Sequence, residues 1–239
     1  MRFLFHVLSD IGRVRSGNED SALGRVDPDG AQGLLLIVAD GMGGAAAGEV
    51  ASRMAVETLS ELYFSGSDAP DQRLHAGMLA ANTRIAQASE EREGARGMGT
   101  TCTALAIVDS TAYVAHVGDS RAYLLRAGTI TRLTRDMSVW ADRVRAGAPP
   151  SSEYGRNQLA EAVGVNSELA PQMRSDVEVA TGDRFLLCSD GLWGLVTDPE
   201  LQRVAHAGPL EDACRTLVEL ANARGGADNV TVVLAAVAD

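Results

Sequence analysis

The apolar positions change period along the chain. Phe3–Ser9 and Leu34–Asp40 read as strands, the second of them apolar almost throughout. Helical spacing takes over from about Gly48 to Leu62, where Val50, Met54 and Leu59 recur on one side. The turn cluster SGSDAPD at 65–71 leads into a second helix, from about Gln72 to Glu93, with Leu74, Met78, Leu79 and Ile85 expected inward. A connection this short makes the two helices antiparallel neighbours.

From Thr100 to Leu133 the period returns to two. TCTALAIV, TAYVAHV, RAYLLRA and TITRL are short runs parted by DS, GDS and AG turns, the pattern of an antiparallel meander. The stretch from Asp136 to Gly164 is rich in Gly, Pro, Ser and Arg, and predicts a flap with one or two short helices. Strands resume near Met173–Val179 and Arg184–Cys188. Thr197–Glu200 has the form of a capping box with Pro in the first turn. The last helix, about Leu210 to Asn222, places Leu210, Cys214, Leu217, Val218 and Ala221 on one face, and Asn229–Val237 reads as a final strand. Helices segregated into groups, not alternating with each strand, predict an α+β fold with mostly antiparallel sheets. No linker divides the chain, so residues 1–239 are expected to form a single domain.

Four aspartates interrupt these runs where strands end or begin, each beside Gly, Ser or Asn: Asp40, Asp119, Asp190 and Asp228. A carboxylate at the rim of a sheet, next to a residue that lets a ligand approach, is a turn residue when it stands alone. Four of them point to a shared pocket of hard oxygen ligands for Mg²⁺ or Mn²⁺. Glu19 and Asp20 are adjacent acids in a loop with Arg15 four positions before Glu19. A planar guanidinium near a metal-ligand cluster suits a phosphate substrate, because its fork grips two phosphate oxygens.

Composition narrows the alternatives. The net charge is −11, from 32 acidic and 21 basic residues, which disfavours nucleic acid and anionic membranes as partners. Every basic residue is Arg, so mechanisms that need a lysine are excluded. Cys102, Cys188 and Cys214 are odd in number and far apart; they fit neither a disulfide framework nor a zinc site, and imply a reducing, cytoplasmic setting. No apolar run reaches the roughly 18 residues of a membrane helix, and no signal peptide is visible, so membrane insertion is not expected.

The ordered blocks R-x-x-N-E-D, A-D-G-M-G-G-x-x-x-G-E-x-A-S, G-M-G-T-T, V-G-D-S-R, S-D-G-L-W and D-N-V-T-V-V, running from about Ser9 to Val237, resemble bacterial members of the metal-dependent Ser/Thr protein phosphatases, the PPM or type 2C family. The resemblance implies two stacked, mainly antiparallel sheets flanked by antiparallel helix pairs, an αββα sandwich with two metal ions at one end. By motif position Asp40 bridges both ions, Gly41 lends its carbonyl to one, and Asp190 and Asp228 complete the second. Glu19 and Asp20 act largely through bound water. Asp119, with Asp190, matches the residues of a third, weaker ion, and Arg15 matches the binder of the substrate phosphate. The implied reaction is hydrolysis of phosphoserine or phosphothreonine by a metal-activated water, on phosphorylated proteins that are substrates of a Ser/Thr protein kinase; the alternative is a catalytically silent relative that binds phosphoproteins. The chain departs from its relatives at Ala45 and Met137, where they carry His, and at Met42, which is His in many eukaryotic members. These departures leave the general acid for the leaving alkoxide open. His116 is a tempting replacement, weighed against a satisfied strand histidine; Cys188 and Trp193 read as packing residues.

A dinucleotide fingerprint also occurs at Gly41–Ala46, with Glu61 beyond it. Its context is wrong, because Glu61 falls inside a helix and Asp40 would face the pyrophosphate with like charge.

Overall fold

The computed structural model describes residues 1–91, 94–149, 154–155 and 158–238. In chain order the elements are β1 (Arg2–Asp10), β2 (Asp20–Val26), β3 (Leu34–Met42), α1 (Ala45–Ser65), α2 (Pro70–Glu91), β4 (Gly99–Thr100), β5 (Cys102–Val108), β6 (Thr111–Val117), β7 (Arg121–Arg126), β8 (Thr129–Arg132), α3 (Val139–Arg145), β9 (Gln172–Glu178), β10 (Arg184–Cys188), α4 (Asp190–Trp193), α5 (Asp198–Ala205), α6 (Leu210–Ala223) and β11 (Val230–Ala238). Every strand pair is antiparallel. One sheet has the order β1-β11-β10-β7-β8; the other has β2-β3-β5-β6-β9, with the short β4 joined to β3.

The run in β3 is apolar throughout because both of its faces are covered. Leu35, Ile37 and Ala39 pack with Leu59 of α1 and Leu74, Met78 and Ile85 of α2. Leu34, Leu36 and Val38 turn the other way and meet Phe185 and Leu187 of β10 and Val233 of β11 between the sheets. In β11 the same alternation sends Val230, Val232 and Leu234 against Leu201 of α5 and Leu217 of α6. The result is four layers, helices–sheet–sheet–helices, as the resemblance implies. Burying Phe185 alone contributes about 2–3 kcal/mol, so the inter-sheet layer is a principal source of stability.

Several expectations are corrected. The strand β2 is not among the predicted elements: DSALGRV opens on Asp-Ser and is interrupted by Gly24-Arg25, and it joins the sheet at an edge, where β3 supplies all of its pairing. The first helix begins at Ala45, before the predicted Gly48, and the second begins at Pro70, a residue suited to a first helical turn. The final two residues predicted for that second helix, 92–93, lie outside the described residues, as do 150–153 and 156–157 of the predicted flap. Leu79 is exposed, because a helix turns about 100° per residue and Met78 takes the inward face. Among its described residues the flap contributes one short helix, α3, capped by Ser138 Oγ accepting the Ala141 amide. The capping box at Thr197 and Glu200 is present as expected, and an unexpected single turn, α4, begins at Asp190.

Candidate metal and phosphate site

The two sheets end together on one side, and the loops there carry the acids. Asp40 sits near the end of β3, and Asp20, which opens β2, is its register partner. Asp119 lies in the β6–β7 turn, Asp190 follows β10, and Asp228 stands two residues before the start of β11. Arg15 and Glu19 come from the β1–β2 loop. Arg15, Glu19, Asp40, Gly41, Asp119, Asp190 and Asp228 all line one cavity of about 270 Å³. Asp20 does not line it. It lies buried behind the wall, where its Oδ2 accepts from Ser189 Oγ at 2.8 Å.

The glycines of the ADGMGG block have a steric role. Gly41 donates its N–H to the Glu19 carbonyl at 3.1 Å, and a Cβ there would fall 2.1 Å from the Gly48 carbonyl oxygen and 2.6 Å from that of Glu19. The strand can therefore approach the Glu19 loop only without a side chain. Gly43 and Gly44 have φ of 123° and 89° and turn the chain from β3 into α1.

Asp40 is fixed through its backbone. Its N–H donates to Thr101 Oγ1 at 2.9 Å, Thr100 Oγ1 donates to its carbonyl at 2.9 Å, and Thr101 is joined to Ser120 at 2.9 Å. Asn229 does the equivalent work for the β1–β2 loop. Its Oδ1 accepts the Glu19 amide at 2.8 Å, and its Nδ2 donates to the carbonyls of Ile11 and Gly17, each at 3.0 Å. Asn18 adds a local bond from the Asp20 amide to its own Oδ1 at 3.1 Å. The Trp193 indole donates to the Asp119 carbonyl at 3.0 Å while Arg121 stacks over its ring at 3.5 Å, so this tryptophan braces the Asp119 turn and is more than packing.

None of these supporting residues was assigned a role from the sequence. Asn229 could have been noticed, since it follows Asp228 in the D-N-V-T-V-V block. Asn18, Thr100, Thr101, Ser120 and Trp193 likewise stand inside the quoted blocks.

Crowded acids raise one another's pKa values. Burial, then Asp20 and Asp190, push Asp40 well above the usual carboxylate range. Burial and Asp190 push Asp119 up to about 7, and burial is the first cause that takes Asp20 to about 7. Asp190 is raised by burial and by Asp228, with the Asp40 carboxyl within hydrogen-bonding reach. Asp190 Oδ1 and Asp20 Oδ1 are buried without a hydrogen-bond partner. Such a cluster calls for positive charge. Arg15 is the single cation on the described cavity wall; its guanidinium meets Asp228 Oδ2 at 2.6 Å.

The donor set fits small hard cations: five carboxylate residues and Gly41 line one cavity, and Asp190 among them carries a buried oxygen without a hydrogen-bond partner. Among the described residues no group of three or more His, Cys, Asp or Glu side chains could enclose an ion unaided. Mg²⁺ does not need such a cage, because it keeps several waters and takes one or two carboxylates. The shared cavity therefore decides in favour of the fit.

His116 is excluded from the chemistry. It is buried, with Nε2–H donating to the Arg135 carbonyl at 3.1 Å and Nδ1 accepting from Thr103 Oγ1 at 2.8 Å. The three cysteines are buried and free, and burial pushes their thiols up to about 12, far from a nucleophile's range.

Over almost its whole length the chain is similar to known phosphatases. The profile of the family described as Protein phosphatase 2C matches residues 14–235. The chain is 38% identical, over 238 residues, to the serine/threonine protein phosphatase PstP of Mycobacterium tuberculosis, covering 97% of this chain and 44% of that protein. It therefore spans less than half the length of that relative. To the protein phosphatase PhpP of Streptococcus pneumoniae it is 35% identical, covering 95% of each chain. A solved structure of the catalytic domain of PstP, in complex with two manganese ions, superposes with a TM-score of 0.87 at 37% identity, covering 99% of both chains.

Proposed function

From the chain's membership of the protein phosphatase 2C family, which the match over residues 14–235 establishes, we propose that residues 1–239 form one catalytic domain that hydrolyses phosphoserine and phosphothreonine in proteins. Its substrates are the products of Ser/Thr protein kinases, and it acts in the cytoplasm. The observation that carries this reading is the cavity itself, where Arg15 and the carboxylates of Glu19, Asp40, Asp119, Asp190 and Asp228 share one wall. Asp40, the Gly41 carbonyl, Asp190 and Asp228 would hold two Mn²⁺ or Mg²⁺ ions, with Asp119 and Asp190 at a third. Bound there, such ions supply Lewis acidity and a water acidic enough to attack at neutral pH.

The chain's own residues bind and orient. Arg15 presents its guanidinium from the loop that Asn229 pins, and pairs with the phosphoryl oxygens through two parallel N–H bonds. Glu19, on the same loop, orients water at the cavity mouth. The attack is in line: the water oxygen forms the new P–O bond and gives up one proton to solvent, the bond from phosphorus to the Ser or Thr oxygen breaks, and the alkoxide takes up a proton to leave as alcohol. Met42 has no proton to give, so solvent in the cavity supplies it.

The test is hydrolysis of p-nitrophenyl phosphate with Mn²⁺, with EDTA, and with Mn²⁺ restored. Turnover lost to EDTA and recovered with Mn²⁺ is expected. Asp40→Asn should lower it by several orders of magnitude with an unchanged circular dichroism spectrum. Near-wild-type turnover in that variant refutes the role of Asp40, and absent turnover in the wild type leaves the silent phosphoprotein-binding relative.

A further inference from the structure

The cavity continues past its own rim. Met42 and Leu159, which line it, also line a neighbouring depression of about 440 Å³ walled by Val139, Ala160, Ala162 and Val165. Gln158 and Asn166 are the only polar residues among its described lining, and none of the described lining residues is charged. Val165 and Asn166 belong in turn to a third, polar depression of about 540 Å³ beside α2, which includes Arg96 and Glu90. Through these shared residues the three adjoin in a row, a trough with acids and Arg15 at one end, a mainly aliphatic middle and a polar far end.

The aliphatic stretch is built onto the catalytic backbone. Thr100 and Val163 exchange both backbone bonds, at 3.0 and 2.9 Å, and Thr100 is the register partner of Gly41. Asn82 of α2 fixes the other side, its Oδ1 accepting the Gly164 amide at 2.7 Å and its Nδ2 donating to the Asn166 carbonyl at 2.9 Å. Val165, at the crest of this pinned turn, is 52% exposed. An aliphatic side chain held in solvent by a rigid turn, beside the cavity, is placed to meet something.

We propose that this trough seats the segment of a phosphoprotein flanking the phosphoresidue, in extended form, and selects a Val, Leu, Ile or Met side chain within about three residues of it, a reach of roughly 10 Å. The proposal rests on the phosphatase reading above. Two properties favour this occupant: the depression adjoins the cavity that takes the phosphate, sharing Met42 and Leu159 with it, and its described walls, apart from Gln158 and Asn166, are apolar side chains that match an aliphatic partner.

The experiment compares kcat/KM of the Mn²⁺-loaded protein on short phosphothreonine peptides with Leu or Asp placed in turn at each flanking position. Leu should exceed Asp by about tenfold or more at one or more positions. Val165→Asp and Val165→Arg, opposite in charge, should both abolish that preference while p-nitrophenyl phosphate turnover stays within about twofold of wild type. Equal rates for Leu and Asp peptides at every position, or a preference that survives both substitutions, overturns the trough and leaves the phosphatase reading standing. Concentration-dependent self-association that Val165→Asp abolishes, with the peptide preference intact, assigns the patch to a second copy and overturns the proposal. A wild type inactive on p-nitrophenyl phosphate with Mn²⁺ overturns both readings.

Discussion

Asn229→Ala probes how the β1–β2 loop is held to the end of β11. The wild-type amide makes three bonds to that loop, to the Glu19 amide and to the carbonyls of Ile11 and Gly17, and the residue is 4% exposed. Each bond contributes about 1 kcal/mol net, but loop groups near the surface regain part of that from water, so the loss should be roughly 2–3 kcal/mol. For a domain of this size that lowers Tm by about 10 °C. Urea unfolding in EDTA is the appropriate assay, because it removes any contribution from metal binding to the folded state. Amide hydrogen exchange supplies a local readout: the Glu19 amide loses its acceptor and should exchange at least about tenfold faster, while amides of the β5–β6 pair, far along the other sheet, keep their relative protection. Asn229→Asp should be no milder, since a carboxylate can still accept from Glu19 but repels two carbonyls and stands beside Asp228. An Asn229→Ala protein within about 0.5 kcal/mol of wild type, with the Glu19 amide equally protected, would refute the hub.

Two other outcomes follow from the same geometry. His116 has a folded pKa lowered from 6.5 to about 4 by burial, so its contribution is complete above the unfolded value and is lost as pH falls from there toward the folded one. Between about pH 7.5 and about pH 5 the wild type should lose roughly 2 kcal/mol more than His116→Gln, both measured in EDTA; parallel stability curves would contradict this. Arg15→Ala should change stability by less than about 1 kcal/mol, because its pair with Asp228 is half exposed. The same variant should weaken competitive inhibition by inorganic phosphate about tenfold or more, and an unchanged inhibition constant would remove Arg15 from phosphate binding.

Much of the architecture was legible from residue order because period records which faces are covered. The unbroken apolar run at Leu34–Ala39 could belong only to a strand buried on both sides, and the stripe Cys214–Leu217–Val218–Ala221 only to a helix lying on a sheet. The aspartates and Arg15 were legible as chemistry because one rim carboxylate is an ordinary turn residue, whereas four in one chain, with an arginine near two further acids, point to a shared ligand. Folding decided the rest. β2 is a strand because β3 offers it a partner, not because DSALGRV prefers extension. Asp20 retreats behind the cavity wall to Ser189, and Arg15 meets Asp228 across more than two hundred positions of chain. Asn229 becomes the fastening of the loop that precedes Asp20. Local sequence encodes the face a side chain presents; which distant group waits there depends on how two sheets stack, and that is set by the packing of the whole core.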